Sequence, residues 1–205
     1  RSEVRAAAQS AAAVVDRIAK HPGVRVAEQF VDSDHDRTLK ELVTLTEIPA
    51  PPFKETERAK AFAQMLKDSG VANVEIDSEG NVLGLRRGTG GAGHTIAIGA
   101  HLDTVFPEDT EIRVKQQGTR WSAPGIGDNT RGLAVLLSIA RALDHSKIQT
   151  SSDILFVGSV GEEGPGDLRG MRHLFQRGAY KDRIRMFVAL DGAGNGNDIV
   201  TGALA

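Results

Sequence analysis

The chain has 205 residues, a formal net charge of -2 and no cysteine, a length that suits one well-cored α/β domain with at most a helical extension. Acids and bases are mixed along it without a basic block, so nothing marks a nucleic-acid or membrane-surface footprint, and a small molecule is the expected partner. The lack of cysteine excludes disulfides, thiolate nucleophiles and thiolate-held zinc, leaving His, Asp and Glu for any metal, and no apolar run approaches the ~20 residues that span a bilayer.

The first segment, "RAAAQSAAAVVDRIAK", has no helix breaker before His21-Pro22-Gly23 and reads as an alanine-rich helix. A second helix is predicted over "DSDHDRTLKELVTLTE", with Leu39, Leu42, Val43 and Leu45 in helical period, until "IPAPP" ends it. "KETERAKAFAQMLKDSG" is a third, stopping at Gly70. The period then changes. "VEIDSEGNVLGLRRG" reads as two short strands about a Glu-Gly-Asn turn, and "TGGAG" as a loop tip before the buried strand "HTIAIGA". Next come an amphipathic helix over "NTRGLAVLLSIARALDHS", a strand "SDILFVGSV", a helix "DLRGMRHLFQRGAY" and a strand "MFVALD". Apolar strands alternating with helices predict a three-layer α/β/α fold on a mainly parallel mixed sheet, preceded by N-terminal helices. The expected division is a helical segment over 1–47 packing on the N-terminal portion of an α/β domain over 48–205.

Polar groups recur where the buried strands end: His101 and Asp103 after "IAIGA", Glu162 and Glu163 after "ILFVGSV", and Asp191 after "MFVAL", with Asp128 just before a helix. Open α/β sheets bind ligands beyond the carboxyl ends of their strands. One such carboxylate is ordinarily a helix cap or a solvated loop residue, and Asp128 reads equally well as an N-cap. Three strands ending in acid are harder to dismiss, because clustered carboxylates repel unless a cation neutralises them. One imidazole among carboxylates favours zinc over magnesium or calcium, and two ions sharing a carboxylate would absorb this much acid.

The motifs "AHLDTVFP", "APGIGDNTRG", "GEEGPGDLRG" and "ALDGAG" resemble, in order and spacing, those of the co-catalytic di-zinc exopeptidases and deacylases, the family of peptidase T, glutamate carboxypeptidase and acetylornithine deacetylase. The resemblance runs from about Ile48 onward, and "TEIPAPPF" and "PGIGDN" lean toward peptidase T. It implies that His101 and Asp191 hold one zinc, that Asp128 bridges to a second held by Glu163, and that Glu162 is the general base for a metal-activated water attacking an amide. Asp103 would orient the His101 ring, as residues behind metal-bound histidines do. The resemblance also implies a cis peptide at Asp128-Asn129, a small peptide or N-acyl amino acid as substrate, amino- or carboxypeptidase specificity being open, and a homodimer for the full-length protein.

The family's second zinc takes a further histidine from near the end of a longer chain, and none of His21, His35, His94, His145 and His173 stands in a matching context. A lid or dimerisation domain also enters the family soon after the strand matching "DIVTGALA". The expectation is therefore an incomplete catalytic domain with one tight zinc and weak or no turnover of its own. Arg131 and Arg169 are candidates for gripping a substrate terminus. Two alternatives stay open: a non-catalytic member of the same fold acting in binding or assembly, and a magnesium-dependent phosphoesterase. A start at Arg1 is compatible with a cytoplasmic protein or with export after signal removal.

Overall fold

The computed structural model describes residues 2–91 and 94–192, with side chains in the first helix from Ser10. That helix, α1 (Ser2–Ala19), stops before His21-Pro22 as the sequence suggests. Pro22 does not close the helical region, however. It is the first residue of a second helix, α2 (Pro22–Ser33), where a missing N–H costs nothing, and His21 Nδ1 caps it by accepting from the Gly23 amide at 3.1 Å. The sequence pattern assigns no element to this stretch because Pro22-Gly23 reads as a helix stop; α2 buries no residue fully, yet Val24, Ala27 and Phe30 form a half-buried stripe in helical period. It leans on the domain through Phe30, whose ring stacks on His145 at 4.5 Å.

Helix α3 (His35–Thr46) buries Leu42 and Leu45, and α4 (Thr56–Asp68) buries Ala59, Phe62, Ala63 and Leu66, following the predicted periods. Gly70 then turns the chain at φ 87°, a left-handed conformation suited to a residue without Cβ. Strands β1 (Asn73–Ile76), β2 (Val82–Arg86) and β3 (Thr95–His101) come next. A small hairpin of β4 (Lys115–Gln117) and β5 (Arg120–Ser122) is inserted after them, turning at Gly118 with φ 60°. It gives no signal in the sequence because its short strands are exposed or half-buried and lack an apolar face. Helix α5 (Arg131–His145), β6 (Asp153–Ser159), α6 (Arg169–Gln176) and β7 (Ile184–Ala189) complete the described elements.

The sheet order is β1-β2-β6-β3-β7. Strands β6, β3 and β7 are mutually parallel, while β2 runs antiparallel to both β1 and β6. Successive side chains of β6 alternate between the two faces as the pleat requires: Ile154 and Phe156 pack with Phe62, Leu66, Leu133, Leu136 and Leu137, whereas Leu155 and Val157 pack with Leu83, Leu85 and Leu174. Helices therefore cover both faces, and a fully buried side chain such as Phe62 or Leu137 contributes ~1.5–3 kcal/mol. Buried Arg141 ties α5 to the α2–α3 region, with Nη1 2.7 Å from Glu41 Oε2 and Nη2 2.5 Å from Asp34 Oδ2. Among the described residues no helix is long and apolar enough to cross a membrane. Residues 92–93 of "TGGAG" and the segment "DIVTGALA" lie outside the described residues.

The register matters for function. His101 of β3 sits opposite Ser159 of β6, and Gly99 opposite Ala189 of β7. Three parallel strands thus end side by side, and the residues just beyond them emerge at one edge.

Candidate metal centre

His101 is the last residue of β3 and is 3% exposed. Its Nδ1 lies 3.0 Å from the backbone carbonyl oxygen of Asp103 and 3.6 Å from the Asp103 carboxylate, so Nδ1 carries a proton. Nε2 faces the other way, 2.9 Å from Asp128 Oδ1 and 3.9 Å from Asp191 Oδ1. Potential ligand atoms of His101, Asp128 and Glu163 all lie within 4.8 Å of one another. Among the described residues no other histidine joins the group. His21 is a cap, His145 stacks on Phe30, and His173 sits 3.7 Å from Asp77 Oδ2.

Asp128 does not cap α5. It lies in an irregular turn with φ -128° and ψ 96°, and its peptide bond to Asn129 is cis. The turn is fastened on both sides: Thr130 Oγ1 donates to the Gly125 carbonyl at 2.9 Å, and Asn129 Nδ2 donates to the Leu190 carbonyl at 2.8 Å. The second bond connects the Asp128 turn to the residue before Asp191. Gly132 leaves room for it; a Cβ there would meet Asn129 Oδ1 and lie 2.7 Å from the Leu190 carbonyl oxygen.

Asp103 is fully buried, and both its carboxylate oxygens accept from backbone amides: Oδ1 from Glu162 N–H at 2.9 Å and Oδ2 from Glu163 N–H at 2.8 Å. Charged acceptors make such bonds strong. One side chain therefore sets both the His101 strand end and the two glutamates. Behind it, fully buried Arg58 donates from Nη1 to the Leu102 carbonyl at 2.7 Å and from Nε to the Ile48 carbonyl at 3.0 Å. The sequence pattern does not single out Arg58, although it stands on the same α4 stripe as Phe62 and Leu66, where a charged residue needs a buried partner.

Electrostatics follow from this crowding. Burial alone depresses His101, but the Asp103 carboxylate and the charges of Glu162 and Asp191 outweigh it and raise the imidazole to about 9. Burial pushes Asp103 up, yet the His101 ring and the two glutamate amides hold it below the usual value. Glu162 is raised by burial and by Asp191, Asp103 and Asp128, against the His101 charge. Glu163 is raised by burial and by Asp128. Burial lowers Arg58 to about 10 in spite of Asp103.

The donor set fits a divalent cation. With Nδ1 committed to a carbonyl, the lone pair of a neutral ring points from Nε2 at anionic oxygens, an arrangement that repels unless a proton or a cation sits between them. Arg169, a candidate for gripping substrate, is occupied elsewhere: its Nη2 lies 2.8 Å from each oxygen of Glu55, and its Nη1 2.8 Å from the Glu79 carbonyl. Arg131 is exposed at the start of α5.

The fold is a layered α/β/α one in which a histidine and acids are gathered where parallel strands end. The sequence profile described as peptidase family M28 matches residues 81–201, and the chain belongs to that family. It is 33% identical over 129 residues to a putative LysW-lysine/LysW-ornithine hydrolase of Pyrococcus abyssi, covering 63% of this chain and 34% of that protein. Aminopeptidase PepT from Bacillus cereus superposes with a TM-score of 0.64 at 26% identity, over 78% of this chain and 44% of the other. Human carnosine dipeptidase 1 shares the fold, with a TM-score of 0.67 at 14% identity over 83% of this chain and 41% of that one. The chain spans about a third of the curated relative and less than half of either structure.

Proposed function

We propose that this chain carries the metal-holding part of a zinc-dependent amide hydrolase, an exopeptidase or N-acyl amino acid hydrolase acting on a small peptide or acylated amino acid. The observation that carries the reading is the approach of His101 Nε2 to Asp128 Oδ1 at 2.9 Å with Glu163 in reach. Membership of a peptidase family supports it, as do an aminopeptidase and a dipeptidase among the structural relatives.

In this reading His101, Asp128 and Asp191 hold one zinc, Asp128 and Glu163 contribute to a second, and the first is the tight one on this chain alone. A nitrogen donor among carboxylates suits zinc better than magnesium or calcium. Zinc, when bound, lowers the pKa of water toward ~7 and polarises an amide carbonyl. The remaining work is done by side chains. The carbonyl of Asp103 keeps the proton of His101 on Nδ1, so that Nε2 is the donor atom. The Asp103 carboxylate fixes the backbone of Glu162 and Glu163, which separates two adjacent acids into different tasks. Glu163 faces Asp128, and Glu162 takes a proton from the attacking water and returns it to the leaving amine. Its raised pKa brings it nearer to the neutral range in which such an exchange is efficient. Residues 1–47 serve as a helical segment packed on the domain that begins at 48.

The test is Glu162→Gln in the whole protein. Turnover of dipeptides and N-acyl amino acids should fall by at least ~10²-fold with zinc content unchanged. Near-normal turnover removes Glu162 as base, and a folded, zinc-loaded wild-type protein that cleaves neither class favours the non-catalytic alternative.

A further inference from the structure

The segment after β6 is held in an unusual way. Four successive amides donate to side chains rather than to backbone: Val160 to Asn81 Oδ1 at 3.1 Å, Gly161 to Glu55 Oε1 at 3.0 Å, and Glu162 and Glu163 to the two oxygens of Asp103 at 2.9 and 2.8 Å. Gly161 adopts φ 60°, so the chain turns sharply between the strand and the glutamates and has no ladder to guide it. Asp103 reaches this segment from the metal-centre side. Glu55 and Asn81 reach it from behind.

Glu55 is 3% exposed, and its charge is matched by Arg169, whose Nη2 stands 2.8 Å from both carboxylate oxygens. Arg169 closes the loop a second time through its own backbone, its N–H donating to the Gly161 carbonyl at 3.2 Å. Above it lies the Phe53 ring, 5.1 Å from the guanidinium carbon, at a residue held with φ 71°. A buried ion pair is a costly way to stabilise a surface loop, since an apolar replacement commonly does as well. Here the carboxylate also supplies the acceptor that the Gly161 amide needs.

We infer that Glu55, aligned by Arg169, is a positioning residue that fixes the Val160–Glu163 backbone so that Glu162 and Glu163 meet their partners at the metal centre; the inference rests on the functional reading above. Neither Glu55 nor Arg169 touches the reacting atoms. They act by denying the glutamate segment any other path out of the strand, and displacement of about 1 Å in such a group can cost ~10²-fold in rate.

The acceptor and the charge can be separated. Glu55→Gln keeps an oxygen for the Gly161 amide but loses the charge, whereas Glu55→Ala loses both. In the whole protein, Glu55→Ala should lower kcat ~10- to 100-fold with KM within about threefold, and should weaken the second zinc in a titration of Zn²⁺ against a chromophoric chelator, because Glu163 moves with the loop. Glu55→Gln should keep kcat within about threefold. A merely structural pair would lower Tm in both variants and leave kcat per folded molecule and zinc affinity unchanged, which would overturn the inference. If Glu55→Ala does not fold, Arg169→Lys decides: a fall in kcat of about fivefold or more at constant KM supports the alignment, and kcat within about twofold refutes it. Glu162→Gln run alongside separates the two claims. An inactive Glu162→Gln with a fully active Glu55→Ala removes this inference alone, and an active Glu162→Gln removes the functional reading and this inference with it.

Discussion

Zinc binding should expel close to one proton from His101, and the amount can be worked out from the structure. Nδ1 keeps its proton against the Asp103 carbonyl, so the proton to be displaced is the one on Nε2, shared with Asp128 at 2.9 Å. With the ring raised to about 9, roughly 97% of metal-free molecules carry that proton at pH 7.5, against roughly 10% for an unperturbed histidine. The apparent zinc affinity should therefore rise about tenfold per pH unit from 6.5 to 8.5 and flatten above ~9. Stability of the metal-free protein should move in the opposite direction. A raised histidine contributes fully below its unfolded value near 6.5, and the contribution is lost as pH climbs through about 9. Isothermal titration of Zn²⁺ at pH 7.5, in buffers of different ionisation enthalpy, reads the proton count directly. Wild type is expected to release about 0.8–1 proton more than His101→Ala, since any proton lost by metal-bound water is common to both. A difference near 0.1 proton would mean that the imidazole is not held by the surrounding acids and would refute the electrostatic account.

Asp103→Asn should leave one of the Glu162 and Glu163 amides facing an N–H₂ group, costing ~2–3 kcal/mol in chemical denaturation. Because the Asp103 carboxyl is held below 3.8, its contribution is complete above that value and is lost as pH falls through the folded pKa, so the variant should show a shallower acid limb; an unchanged limb would contradict this. Gly132→Ala should press its methyl on Asn129 and the Leu190 carbonyl, cost ~1–3 kcal/mol and weaken zinc, as thermal unfolding and metal titration would show; full zinc affinity would mean that the Asn129 link does not set the Asp128 geometry. Thr46→Val should break its buried contact with Thr130 at 2.7 Å and lower stability by ~1–2 kcal/mol, with a change below ~0.3 kcal/mol counting against that bond.

The sheet and the gathering of polar groups at its edge are legible in the sequence because β3, β6 and β7 announce themselves as apolar runs, and because a parallel sheet must deliver the residues beyond each strand to one edge. Sequence alone does not choose between Asp128 as a cap and Asp128 as a ligand, since both uses place an acid before a helix; its backbone angles and the Nε2 contact decide against the cap. The β4–β5 hairpin is invisible because its strands lack a buried face, whereas helix α2 is hidden by the Pro22-Gly23 at its start, which reads as a helix stop. Arg169 is noticed but given the wrong partner, since it pairs with Glu55 rather than facing the site. Arg58 and Glu55 are obscured differently. Each looks like one more charged residue until the chain folds and supplies its partner from far along the sequence, at Leu102 for Arg58 and at Gly161 for Glu55.

The most direct test of the central claim is diffraction from zinc-loaded crystals with anomalous data on both sides of the zinc edge. The account predicts an anomalous peak at the ends of β3 and β7, with His101 Nε2 and one oxygen each of Asp128 and Asp191 at ~2.0–2.2 Å. A zinc-loaded crystal with no peak there, or with Asp128 turned away to cap α5, would contradict it.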